Sequence, residues 1–121
     1  MTNRNRRRFQ RLPMRGFLMC HASFQTGGRT RRLPVLSLSA GGMYVALEER
    51  EHFDLERGDQ LSEIRFDIGE LETLRLEGCV AHRMSLGEIG GCGVEFGPDV
   101  DHDLIDGFVR GKLLELGLGE H

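Results

Sequence analysis

Arg6, Arg7 and Arg11, near the start of the chain, and the run Ser37-Leu38-Ser39-Ala40-Gly41-Gly42 are the residues whose types and spacing suit binding chemistry. A guanidinium is planar and permanently charged, and its forked donors match the oxygens of a phosphate or carboxylate. Hydroxyls flanking a glycine turn offer short polar contacts, and glycine lets backbone N–H groups approach a ligand with no Cβ in the way. The distribution of charge sharpens this. The formal net charge is -3, yet the first acidic residue is Glu48. Arg4, Arg6, Arg7, Arg8, Arg11, Arg15, Arg29, Arg31 and Arg32 all precede it, with no lysine among them. Such asymmetry points to a polyanionic partner, with a solvated basic arm as the plainer alternative.

Composition excludes several classes. At 121 residues and 13.7 kDa the chain makes one domain with an ordinary core. No apolar run approaches the ~18 residues of a membrane span, so no membrane insertion is expected. The GFLMC segment is too short for a signal peptide, which makes a cytoplasmic location the expectation. Cys20, Cys79 and Cys92 are odd in number and widely spaced, which suits reduced, mostly buried thiols. Cys79 and His82 invite a metal reading, but residues three apart in a regular strand face opposite ways, and zinc needs about four convergent ligands. No nucleophile–base pair stands at recognisable spacing, so the chain reads as a non-enzyme with no metal and no cofactor.

These residues are positioned by short strands. Ile64, Phe66 and Ile68 alternate with Arg65 and Asp67, Leu74 and Leu76 with Arg75 and Glu77, and the pattern runs on through Val80, His82 and Met84. Cys92, Val94 and Phe96 alternate with Gly93 and Glu95, and Val94 and Phe96 are assigned to the core. Met14 to Phe24, Arg29 to Leu38 and Met43 to Leu47 read as three further strands. Turns are expected at Thr26-Gly27-Gly28, Ala40-Gly41-Gly42, Arg57-Gly58-Asp59, Gly69-Glu70 and Gly87 to Gly91. About six short strands at this spacing predict a small antiparallel barrel or sandwich. The period then changes. Asp99, Asp101 and Asp103 supply capping carboxylates, and Leu104, Ile105, Phe108, Val109, Leu113 and Leu116 form one helical stripe, weakened by Gly107 and Gly111. Arg29, Arg31 and Arg32 either extend the anionic site or blunt a strand edge, the latter being favoured.

Arg7-Arg8-Phe9-Gln10-Arg11, then Ser37 to Gly42, then Gly90-Gly91-Cys92-Gly93-Val94-Glu95-Phe96, in this order with strands between them, resemble the PilZ domain family from about Arg6 to Leu116. The resemblance implies an all-β fold, a six-stranded antiparallel PilZ-type β-barrel with a C-terminal α-helix. Residues 1–5 show no periodicity and are expected to form a mobile arm, before a single domain at 6–116 and a tail at 117–121. Members bind the bacterial second messenger cyclic di-GMP through RxxxR and a (D/N)xSxxG turn. Carried across, these are Arg7 and Arg11, then Ser39 as the motif serine and Gly42 as its last glycine, with Gly41 in the turn. Arg6, just before the motif, would influence stoichiometry. Ser37 stands where the family has Asp or Asn.

The chemistry of that ligand agrees with the residues. It carries two phosphodiester anions and two guanines, and a guanidinium can bridge phosphate oxygens, grip guanine O6 and N7, or stack on the base. An Asp at 37 would accept from guanine N1–H and its amino group in charge-assisted bonds of about 1.5–3 kcal/mol, whereas a serine hydroxyl offers about 0.5–1.5 kcal/mol. The deficit is about tenfold in affinity. The expected function is therefore a cyclic di-GMP receptor whose arm orders over the ligand and alters a protein effector, with motility, exopolysaccharide production or pilus function as outputs. The alternative is a PilZ-like adaptor that binds protein but not cyclic di-GMP because of Ser37. Nucleic acid is a weaker candidate, since one Tyr and no Trp leave little for stacking single-stranded bases.

Overall fold

The structure, a computed structural model, describes residues 9–14, 18–47, 55–86 and 89–118, with the backbone alone for 84–86 and 89. Alternating apolar and polar residues make its strands. They are β1 (Arg11–Pro13), β2 (His21–Thr26), β3 (Arg29–Ser39), β4 (Gly42–Leu47), β5 (Gln60–Phe66), β6 (Leu76–Leu86) and β7 (Ile89–Phe96), followed by helix α1 (His102–Glu115). Neighbours run β3-β2-β5-β6-β7-β4, and β4 returns to β3, so six antiparallel strands close a barrel. The seventh, β1, continues the line of β2 along β3. It pairs Arg11 with Ser39 and Pro13 with Ser37, where β2 pairs His21 with Pro34 and onward to Thr26 with Arg29.

Of the strand expected from Met14 to Phe24, only His21 to Phe24 belongs to a strand, β2, while β1 precedes that span and residues 15–17 lie outside the described residues. Pro13 ends β1, and Leu18 to Cys20 are not strand, although Met14 N–H still reaches the Leu36 carbonyl and Val35 N–H the Cys20 carbonyl. The turn expected at Gly69-Glu70 is a short 3-10 helix, Gly69–Thr73, and Leu74 lies before β6. Of the turn expected at 87–91, residues 87 and 88 lie outside the described residues and 89–91 belong to β7.

Bulges decide which way the side chains point. A bulge inserts one residue into one strand, which reverses the in–out phase beyond it. In β3, Val35 pairs with Val45 but Ser37 with Tyr44, so Leu36 is extra. In β6, Val80 pairs with Val94 but His82 with Gly93, so Ala81 is extra. In β5 the shift falls between Leu61 and Ile64, where Glu63 has φ 52. The apolar sets therefore read Leu33, Val35, then Leu38 in β3, and Leu61, Ile64, Phe66 in β5, all buried. Phe24, Leu12, Met43, Val45, Val80, Val94 and Phe96 are buried with them.

Asp101 caps α1 by accepting the Leu104 backbone N–H at 3.1 Å. Ile105, Phe108, Val109 and Leu113 are buried and close the barrel end beside β1, β3 and the 3-10 helix. Leu104, placed on the buried stripe by the sequence reading, is 40% exposed, because it lies about 100° round the helix from Ile105, toward solvent. Gly107 and Gly111 sit on the outer face, where an added Cβ would meet nothing within 4 Å. Gly107→Ala and Gly111→Ala are each expected to stabilise the domain by roughly 0.8–1 kcal/mol. Urea melts that show either change to be destabilising would mean the helix is not free on that face.

Candidate ligand-binding site

Because of the Leu36 bulge, Ser37 and Ser39 face outward; without it they would continue the inward row of Leu33 and Val35. The Ala81 bulge does the same for His82, which unbroken alternation from Val80 would have buried. Two outward rows then cross the barrel wall. One runs Arg11, Ser39, Gly42, Glu95, and the next Ser37, Tyr44, Gly93, His82. The glycine in each row leaves a depression between flanking side chains. The resulting cleft, of about 220 Å³, is lined by Phe9, Arg11, Ser39, Gly41, Gly42, Met43, Tyr44, Ala81, His82, Gly93, Val94 and Glu95.

Arg11 dominates one end. Its Nη1 donates to Ser37 Oγ at 3.0 Å and its Nη2 to Ser39 Oγ at 3.3 Å, so the fork spans two hydroxyls one pleat apart. Its guanidinium carbon lies 4.6 Å from the centre of the Tyr44 ring, a cation–π geometry worth roughly 0.5–2 kcal/mol. Burial draws the guanidinium below its ordinary value, with Tyr44 acting in the opposite sense. A guanidinium that is partly stripped of water and held flat needs little reordering to meet an anion or a base edge. Ser39, only 5% exposed, accepts from Arg11 and donates to the Gly42 carbonyl at 3.4 Å.

The floor is backbone. A Cβ on Gly93 would come within 2.7 Å of His82 Cε1 and 3.0 Å of Tyr44 Cε1, so glycine there lets the two rings approach each other. They meet edge to face at 5.4 Å between centroids. Gly42 has a different reason for lacking a side chain: its Cβ would strike the Val94 carbonyl oxygen of β7. Strand packing alone thus demands glycine at 42, whereas a Cβ on Gly41 would make only an ordinary 3.7 Å contact with Phe9. Phe9 roofs the cleft and stacks on His102, at the start of α1, with centroids 5.9 Å apart and planes 17° apart.

Of the residues selected from sequence, the structure brings Arg11, Ser37, Ser39, Gly41 and Gly42 together. Arg6 and Arg7 lie outside the described residues, as does Glu48, the first acidic residue of the chain. Arg29, Arg31 and Arg32 are not in the cleft. They occupy the half of β3 that pairs with β2 alone, and Arg32 lies about 16 Å from Ser37 along the strand. Arg32 Nη2 meets Asp67 at 3.1 Å. Desolvation pushes the Asp67 carboxyl up, but the His21 backbone N–H, His21 itself and Arg32 outweigh it and hold the group below its usual value.

Sequence reasoning missed Phe9, Tyr44, His82 and Glu95. Glu95 was legible from its alternation with Val94 and Phe96, whereas His82 was concealed by the bulge. The same bulge corrects the argument about Cys79 and His82, since both face outward. Among the described residues, however, no group of three or more His, Cys, Asp or Glu side chains is placed to hold a metal ion. Cys20 and Cys92 are buried free thiols, pushed up to about 12 and about 11 chiefly by desolvation, and Cys79 is half-buried. Among the described residues no helix is long and apolar enough to cross a membrane.

The backbone resembles several solved structures. The PilZ domain with c-di-GMP of YcgR from Escherichia coli superposes with a TM-score of 0.67 at 17% identity, covering 93% of this chain and 98% of that one. MotI/DgrA, the inhibitor of motility of Bacillus subtilis, gives 0.71 at 16% identity over 88% of this chain and 51% of that one. The K. pneumonia MrkH–c-di-GMP complex gives 0.77 at 14% identity over 91% and 53%. The chain thus spans about half the length of MotI and MrkH, and at these identities the likeness is one of fold. A comparison of the sequence with curated proteins found no match. The family model of the PilZ domain matches residues 5–111, all seven strands and most of α1. With the closed six-stranded barrel and its C-terminal helix, that match settles the family: this chain is a member of the PilZ domain family.

Proposed function

We propose that this chain is a receptor for cyclic di-GMP, bound on the outer barrel wall with Arg11 as its principal anchor. The observation that carries the reading is the Arg11 guanidinium, set by Ser37 and Ser39 over Tyr44 at the rim of a glycine-floored cleft. This is a preorganised cation beside a surface that admits a flat base. Two neighbours of the same fold, from YcgR and MrkH, are described with c-di-GMP, and the family match covers the RxxxR segment. Arg7, with Arg6 before it, would join Arg11 on the ligand as the N-terminal arm closes. The domain of residues 6–116 would then present arm and ligand together to a protein effector.

A second reading follows from Ser37. The hydroxyl gives Arg11 a neutral partner where the family motif has Asp or Asn, and Arg11 already donates to two protein acceptors, Ser37 and Ser39. On that reading the barrel is an adaptor that binds protein without the messenger. Titration calorimetry of the full chain with cyclic di-GMP separates the two. The receptor reading expects saturable heat and NMR shifts at Arg11, Ser39 and Tyr44. Silence in both measurements with the dinucleotide in excess favours the adaptor.

A further inference from the structure

We infer that His82 is a positioning residue for the Arg11 anchor, acting through the Tyr44 ring. The inference rests on the receptor reading above and deepens it. Tyr44 stands in the outward row Ser37, Tyr44, Gly93, His82, one residue from each of four adjacent strands. The nearest neighbours of a side chain on a sheet are those directly across from it. On the β3 side Tyr44 faces Ser37, whose hydroxyl holds Arg11 Nη1 at 3.0 Å, with the guanidinium carbon 4.6 Å from the ring centre. On the β7 side it faces Gly93, which offers no side chain. An aromatic side chain beside a glycine has more than one staggered rotamer open to it, and a ring turned toward Gly93 would leave Arg11 without its platform.

His82 closes that option. It reaches across Gly93 from β6, and its ring meets Tyr44 edge to face with centroids 5.4 Å apart and planes at 61°. The space over Gly93 is full: a Cβ there would lie 2.7 Å from His82 Cε1, 2.8 Å from His82 Nε2 and 3.0 Å from Tyr44 Cε1. Both rings occupy the gap together, and Tyr44 cannot turn further into it while His82 is present. This matters because of how Arg11 is held. Ser37 and Ser39 fix two of its nitrogens, but a fork held only at its edge still pivots about the line joining them. The face of Tyr44 removes the pivot, and His82 keeps that face in place. The Ala81 bulge makes the brace possible, since a regular β6 would send His82 into the barrel.

The test pairs NMR of the free full chain with calorimetric titration of cyclic di-GMP. Protons held above an aromatic face are shifted upfield, so the Arg11 side-chain resonances report whether the guanidinium stays over Tyr44. His82→Ala is expected to move those resonances back toward ordinary arginine values and to weaken cyclic di-GMP roughly 3–10-fold, the range of one edge-to-face ring pair. His82→Phe, which restores a ring at the same place, is expected to recover both. His82 is exposed, so both variants are expected to melt close to the wild type. In a Tyr44→Leu background His82→Ala should cost nothing further, because the residue through which it acts is gone. An equal loss in that background means that His82 touches the ligand itself, and overturns the positioning role. Arg11 resonances unmoved in His82→Ala, or full affinity in that variant, overturn it as well. A wild-type chain that binds no cyclic di-GMP overturns the receptor reading alone, because the Arg11 resonances are read in the free protein.

Discussion

Gly42→Ala is expected to destabilise the domain by about 3 kcal/mol, which is a large share of the 5–15 kcal/mol that holds a typical domain together. The new methyl group would strike the Val94 carbonyl oxygen and lie 3.3 Å from the Val94 carbonyl carbon and 3.4 Å from the Glu95 Cα. None of these is the free end of a side chain. They belong to β7, which pairs with β4 from Gly42–Glu95 to Leu47–Gly90 on one side and with β6 on the other. The strand therefore cannot step back without breaking ladder hydrogen bonds, nor can Gly42 move away, since it also pairs with Ser39. Gly41→Ala is the control. Its Cβ would sit 3.7 Å from a Phe9 ring carbon, and Gly41 does not have a positive φ, so a change within about 0.5 kcal/mol is expected. Thermal melting should place the two variants roughly 10–20 °C apart. If they melt together, the close approach of β4 and β7 is not what glycine at 42 provides.

The contrast between those glycines bears on how much could be read from residues alone. The six strands of the closed barrel and the closing helix, whose cap Asp101 was one of three candidate aspartates, were legible because alternation and a 3.6-residue stripe are local properties; the short β1 was not. Ser37, Ser39 and Arg11 followed from their spacing within a family pattern. What stayed hidden was the phase of the wall. Leu33 and Val35 put Ser37 and Ser39 inside the barrel if β3 is regular, and Val80 does the same to His82; only the extra residues Leu36 and Ala81 turn them out. A bulge leaves almost no local signature, since it is decided by how two strands pair. For the same reason the sequence could not reveal that Arg11 reaches across β3 to Tyr44 on β4, or that Gly42 is glycine on account of a strand fifty residues further on.

The largest functional effect is expected at Arg11. Arg11→Ala should weaken cyclic di-GMP binding by about 1–3 kcal/mol, or roughly 5–150-fold, with the fold retained. Three roles end together in that variant. The fork loses its charge-assisted bonds to the ligand, the cation over Tyr44 disappears, and Ser37 and Ser39 lose the donor that orients them. Arg11→Lys separates charge from geometry. An ammonium keeps the positive charge but is a point donor, which cannot span Ser37 and Ser39 while lying flat above a ring. If the site works mainly by attracting phosphate, lysine should recover most of the affinity, and the remaining binding should fall steeply with salt. If the planar fork matters, as its 3.0 Å and 3.3 Å contacts argue, lysine should be nearly as weak as alanine. Titrations at two ionic strengths distinguish these cases. Unaltered affinity in Arg11→Ala would remove the cleft from the binding surface altogether, because the remaining lining residues present no other described cation to an anionic ligand.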